Sequence, residues 1–169
     1  VSLLAGSSVS STATGLDAGT ITIEGFGGDS ASSGRGVYLF GTTTDVTSAD
    51  GAIVIMGEGG GGSGSGNAGI YLRGIETVSS TGHATITIDG TGAAARSSNH
   101  GVLLDGATTD VTSENGAVII RGQGGGNGLG NDNYGVYANS METISSAGMG
   151  PNAAPISIIG TGGTGTYRN

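Results

Sequence analysis

The side chains best suited to acid–base chemistry in this 169-residue chain are two histidines, His83 and His100. Each falls in a turn-like stretch, and no Cys, second His or carboxylate cluster stands at metal-ligand spacing from either. The carboxylates recur at a distance: Asp45 matches Asp110, and Glu76 matches Glu142. If each pair sits two strands apart in one sheet, the separation is roughly 10 Å, which loosely suits an inverting carboxylate pair. Periodic repetition argues instead for a solvated acidic stripe.

Glycine supplies the next candidates. Gly125-Gly126-Asn127-Gly128-Leu129 approaches a calcium-binding β-roll motif, but Gly130 stands where the motif needs Asp, and Asp132 is displaced by two. A phosphate cradle needs a following helix and usually a Lys; no helical pattern follows, and the chain has no Lys. Thr20/Thr22 and Thr85/Thr87 form Thr-x-Thr pairs like those of an ice-binding face. Ala52/Val54, Ala117/Ile119 and Pro155/Ser157 interrupt that array, so the threonines report strand propensity. No catalytic residue, metal or cofactor is expected.

Elements able to position anything emerge from self-similarity. Gly36-Val37-Tyr38-Leu39 recurs at Gly69, Gly101 and Gly135, with starts 33, 32 and 34 residues apart. A second run follows: Thr44-Asp45-Val46-Thr47-Ser48, Glu76-Thr77-Val78-Ser79-Ser80, Thr109-Asp110-Val111-Thr112-Ser113 and Glu142-Thr143-Ile144-Ser145-Ser146. The third is Thr20-Ile21-Thr22-Ile23, Ala52-Ile53-Val54-Ile55, Thr85-Ile86-Thr87-Ile88, Ala117-Val118-Ile119-Ile120 and Pro155-Ile156-Ser157-Ile158, each closed by a Gly at 25, 57, 90, 122 or 160.

Three short β-branched runs of period two, parted by turn residues, are strand signals. Three per unit match one coil of a three-sided parallel β-helix. Coils are expected at about 1–35, 36–68, 69–100, 101–134 and 135–169. Alternation points Val37/Leu39, Ile70/Leu72, Val102/Leu104, Ile53/Ile55, Ile86/Ile88 and Val118/Ile120 inward. Coils two and four resemble each other, as do three and five, so the full repeat is a coil pair.

Stacking gives two columns of interest. Asn67, Asn99, Asn133 and Asn169 recur at one corner, where an asparagine ladder is expected, with amides bonding from coil to coil. Tyr38, Tyr71, Leu103 and Tyr137 share an outward column, read either as a cross-coil stack or as a contact strip for glycan or another fibre. Asn169 stands where another coil would begin, and neither end carries a polar cap, so the sequence reads as an excerpt of a longer array.

The net charge is −8 with only five basic residues, all Arg, so the chain has no basic stripe for nucleic acid. No apolar run is long enough to span a membrane, and no signal-peptide pattern opens the chain. Gly makes up 38 residues and 11% of the chain is charged, a composition that alone would permit disorder; the compact alternating apolar runs oppose it.

Gly-Val-Tyr-Leu, Asp-Val-Thr-Ser-x-x-Gly-Ala-Ile/Val-x-Ile and Gly-x-Gly-Gly together resemble the β-helical repeats of giant bacterial surface exoproteins, the filamentous-haemagglutinin-like proteins and autotransporter adhesin stalks. That resemblance covers the whole chain as a style of repeat. It implies a right-handed parallel β-helix, a secreted or cell-surface location, and a stalk, adhesive or filament-building role. The implied partners are neighbouring coils, copies of the same protein and surface glycans. β-Helical polysaccharide-processing enzymes are the other class; they carry basic or clustered acidic residues in a groove that interrupts the repeat, and this regular chain is poor in both.

Overall fold

A computed structural model describes residues 1–29, 32–41, 43–74, 76–140, 143–149 and 153–169, all in strands, turns and loops. The first coil holds β1 (Ser2–Leu3), β2 (Ser8–Ser11) and β3 (Ile21–Phe26). The second holds β4 (Val37–Phe40), β5 (Thr44–Ser48) and β6 (Ile53–Glu58), and the third β7 (Ile70–Arg73), β8 (Glu76–Ser80) and β9 (Ile86–Thr91). β10 (Val102–Asp105), β11 (Asp110–Ser113) and β12 (Val118–Gln123) form the fourth; β13 (Val136–Asn139), β14 (Thr143–Ser146) and β15 (Ile156–Thr161) form the fifth.

Corresponding strands pair in parallel, giving three five-stranded sheets: β1-β4-β7-β10-β13, β2-β5-β8-β11-β14 and β3-β6-β9-β12-β15. The protein is thus an all-β parallel β-solenoid whose five stacked strand layers, ~33 residues apart in sequence, make about 4 full turns. Like residues superpose: Val37 on Ile70 on Val102 on Val136, and Ile53 on Ile86 on Val118 on Ile156. Parallel pairing at a fixed ~4.8 Å step makes any inward apolar residue the neighbour of its own kind.

The core is one narrow column of Val, Ile and Leu running the length of the solenoid. Every inward residue expected from alternation in coils two to four is fully buried there. The inward position of the second sheet also carries a hydroxyl column, with Ser48, Ser80 and Ser113 buried. Ser80 Oγ donates to the carbonyl of Ala49 at 3.1 Å, and Ser113 Oγ to that of Ala84 at 3.3 Å, so these buried hydroxyls bridge to the preceding coil.

The glycines that close the third runs do not end those strands. Gly57, Gly90 and Gly122 lie inside β6, β9 and β12, facing inward where the third sheet meets the start of the first. A methyl group on Gly90 would overlap the backbone carbonyl of Gly101; Gly57 stands the same way against Gly69, and Gly122 against Gly135. Two backbones touch there with no side chain between them, which only Gly permits.

Candidate functional surfaces: the asparagine corner and the aromatic face

Next to that glycine seam the chain turns through a left-handed residue in every coil: Ser33 (φ 61°), Gly66 (φ 77°), Ser98 (φ 54°), Asp132 (φ 59°) and Arg168 (φ 50°). The residue after each of the last four is Asn67, Asn99, Asn133 or Asn169, and the first three are buried. The amide oxygens reach back one coil. Asn67 Oδ1 accepts the backbone N–H of Gly34 (2.7 Å), Asn99 Oδ1 that of Asn67 (3.1 Å), Asn133 Oδ1 that of Asn99 (3.1 Å), and Asn169 Oδ1 that of Asn133 (3.3 Å).

The sequence suggested amides bonding to amides. Among the described residues one such bond forms, from Asn99 Nδ2 to Asn133 Oδ1 at 3.2 Å. Elsewhere the ladder runs from side-chain oxygen to main-chain N–H, because the left-handed turn points that N–H along the solenoid axis. It satisfies donors that sheet pairing cannot reach. Asn133 Nδ2 donates to the carbonyls of Thr164 (3.0 Å) and Arg96 (3.5 Å), whereas Asn67 Nδ2 is buried without a partner.

The outward Tyr38, Tyr71, Leu103 and Tyr137 superpose in register on the first sheet. They do not form one open strip. The Arg35 guanidinium lies 4.4 Å from the Tyr38 ring centre and 4.5 Å from that of Tyr71, leaving Tyr71 7% exposed. Ala68, which holds Arg35's place one coil on, leaves room for that reach. The Tyr71 hydroxyl donates to Asp105 Oδ2 at 2.9 Å, and Asp105 also accepts from Asn139 Nδ2 at 2.8 Å. Burial first, and then that hydrogen bond, push the Tyr71 phenol up to about 12. Arg73 Nε stands 3.6 Å from the same carboxylate, in a partly exposed ion pair of small net value.

A second aromatic group sits two coils away. His100 is buried against Tyr134 (ring centres 5.5 Å apart, planes 9° apart) and Tyr137 (5.2 Å). Phe40 and Tyr137 are the more open rings of this face. The sequence reading treated His100 as an ordinary turn residue; its column, occupied by Arg35, Ala68, His100 and Tyr134, was the missed signal.

His83 pairs with Asp50 of the preceding coil, a juxtaposition the sequence reading did not contain. Asp50 Oδ1 accepts the His83 backbone N–H at 2.9 Å and lies 3.4 Å from His83 Nδ1, while Asp50 Oδ2 accepts the Gly15 N–H at 2.8 Å. The hydrogen bonds from Gly15 and His83 hold the Asp50 carboxyl below its usual range. One ionised side chain therefore ties three successive coils. Such a tie orients His83, and among the described residues no group of three or more His, Cys, Asp or Glu side chains gathers to hold a metal.

Asp45 and Asp110 do align, with Thr77 between them. They belong to an outward face built from Ser8, Asp45, Thr77, Asp110 and Thr143 in one column and Ser10, Thr47, Ser79, Thr112 and Ser145 in the other. That face is hydroxyl-rich and anionic, and offers no apolar anchor to a partner. Glu142 lies outside the described residues, and so does the Glu76 side chain. The Thr-x-Thr pairs fall on the third sheet's outer face, where Thr22, Val54, Thr87, Ile119 and Ser157 alternate in polarity coil by coil.

These features define a parallel β-solenoid whose polar chemistry serves its own coil-to-coil stacking. Compared with models of protein families, with curated proteins and with solved structures, the chain matches none of them.

Proposed function

We propose that this chain is a structural and adhesive segment of a long extracellular or cell-surface fibre, of the filamentous-haemagglutinin-like kind, with no catalytic role. The observation that carries this reading is the unbroken register of all three sheets through every coil. Each coil repeats the same parallel strand pairing and the same left-handed corner, as an object built to extend would need. Tyr137 and Phe40 on the first sheet are the rings open enough to touch a glycan or a second fibre.

Self-association end to end is a second reading: every strand of the three sheets pairs in parallel with the like strand of the neighbouring coil, so the pairing that joins coil to coil is the same one that would join copy to copy.

Electron microscopy of one, two and three tandem copies tests the fibre reading. Rods of constant width should lengthen by about 24 Å per five coils, at ~4.8 Å per strand step. Compact particles that do not lengthen would sink it. Surface labelling of intact producing cells tests the location, and sedimentation of a single copy against concentration separates the end-to-end reading from the single-chain one.

A further inference from the structure

We propose that His100 is an acid-sensitive latch joining the turn before β10 to the turn before β13. Nδ1 of His100 accepts the backbone N–H of Tyr134, 34 residues on, at 3.3 Å. An imidazole nitrogen accepts only while unprotonated, so this bond fixes the neutral ring with its proton on Nε2. Protonation turns Nδ1 into a donor facing another donor. It also places a cation in a site that is 4% exposed.

The surroundings compete over that proton. The Asp132 carboxylate favours the charged ring, and so does the face of Tyr134, stacked on it, while Tyr137 lies tilted against it. Asp132 is partly occupied by the Tyr134 hydroxyl, which donates to it at 3.2 Å, and Arg168 acts on Tyr134 from the coil end. Desolvation outweighs these and lowers His100 from 6.5 to about 4. Because the folded value is depressed, the neutral ring favours the closed state above pH 6.5, and that contribution is lost as pH falls from 6.5 toward 4.

The element released is β13, which pairs with β10 from Val102↔Val136 to Asp105↔Asn139. Its loss frees the β10 edge and uncovers Val102 and Leu104, both fully buried when the latch is closed. The latch is local to this junction, since Arg35 and Ala68 fill the same column in the two preceding coils. It does not depend on the fibre reading.

Amide hydrogen exchange of Val136–Asn139 between pH 7 and 4, corrected for intrinsic rates, tests this in the wild type and in His100→Ala. Alanine removes the ring and its acceptor nitrogen together. In the wild type, opening should become about tenfold easier per pH unit below 6.5, levelling off near 4. His100→Ala should lack that dependence. Equal pH profiles in the two proteins would overturn the proposal. So would an NMR titration of the wild-type His100 ring at or above 6.5, a readout that stands even where the variant fails to fold.

Discussion

Asn133 accepts two hydrogen bonds from Asn99 through a single oxygen: the Asn99 backbone N–H at 3.1 Å and the Asn99 side-chain Nδ2 at 3.2 Å. The third and fourth coils thus meet at the corner through one carboxamide, whose own Nδ2 is satisfied by two carbonyls. At Asn67 the same corner is only half used, since its Oδ1 accepts from Gly34 and its Nδ2 has no partner.

This asymmetry predicts a rank order. Asn133→Ala leaves two buried donors of Asn99 unpaired, at about 1–3 kcal/mol each. Asn67→Ala orphans one, the Gly34 N–H, and removes an amide that was already unsatisfied. Chemical denaturation of both variants should place Asn133→Ala below Asn67→Ala in stability. Equal losses would mean that the corner is held by packing and the amides contribute little.

The glycine seam makes a sharper prediction. Gly90→Ala drives a methyl into the Gly101 carbonyl between two backbones that have no flexible side chain to yield. It should cost more than ~3 kcal/mol, at or beyond the usual range for overpacking. Gly128→Ala meets open space at φ +85° and should cost only ~1 kcal/mol, for the left-handed conformation alone. Thermal melts of the two variants give the comparison directly.

Much of this architecture was legible before any coordinates, because a period-two apolar pattern repeated about every 33 residues has few other solutions. Where the repeat is faint, in the first coil, the sequence marks the coil but not its first two strands. Ser2–Leu3 and Ser8–Ser11 carry little apolar signal, yet pairing with β4 and β5 makes them strands. Gly57, Gly90 and Gly122 read as turn residues, since nothing local distinguishes a turn glycine from one pressed against another backbone. The burial of Ser48, Ser80 and Ser113 follows from alternation with Val46, Val78 and Val111. Arg35 over two tyrosines, and Asp50 beside His83, were not legible. The first depends on Ala68 being small, and the second on one extra residue in the turn between β8 and β9.

Tyr71 should ionise late. Its phenol is raised to about 12, by burial first and then by the bond to Asp105, so the neutral form favours the folded state. That contribution is intact below pH 10 and is lost as pH rises from 10 toward 12. Ultraviolet tyrosinate titration of this five-tyrosine chain should show a late component absent from Tyr71→Phe. At neutral pH the same variant should lose only ~1 kcal/mol, because Asp105 keeps Asn139 and Arg73. A late component that survives in Tyr71→Phe would assign it to another ring.

The left-handed column before the asparagines carries strain that substitution can relieve. Ser98 holds φ 54° where Gly66, one coil earlier, holds φ 77°. An L residue at such an angle costs roughly 1–2 kcal/mol, and Gly avoids that cost while losing more chain entropy on folding. Ser98→Gly should therefore be neutral or stabilising by up to ~1 kcal/mol, which is unusual for a glycine placed in an ordered segment. Gly66→Ala should lose ~1 kcal/mol through the same angle, its added methyl meeting only the Ser33 hydroxyl at 3.9 Å. Opposite signs for the pair, read from melting temperatures, would establish backbone conformation as the origin of the effect; matching signs would assign it to contacts at the corner.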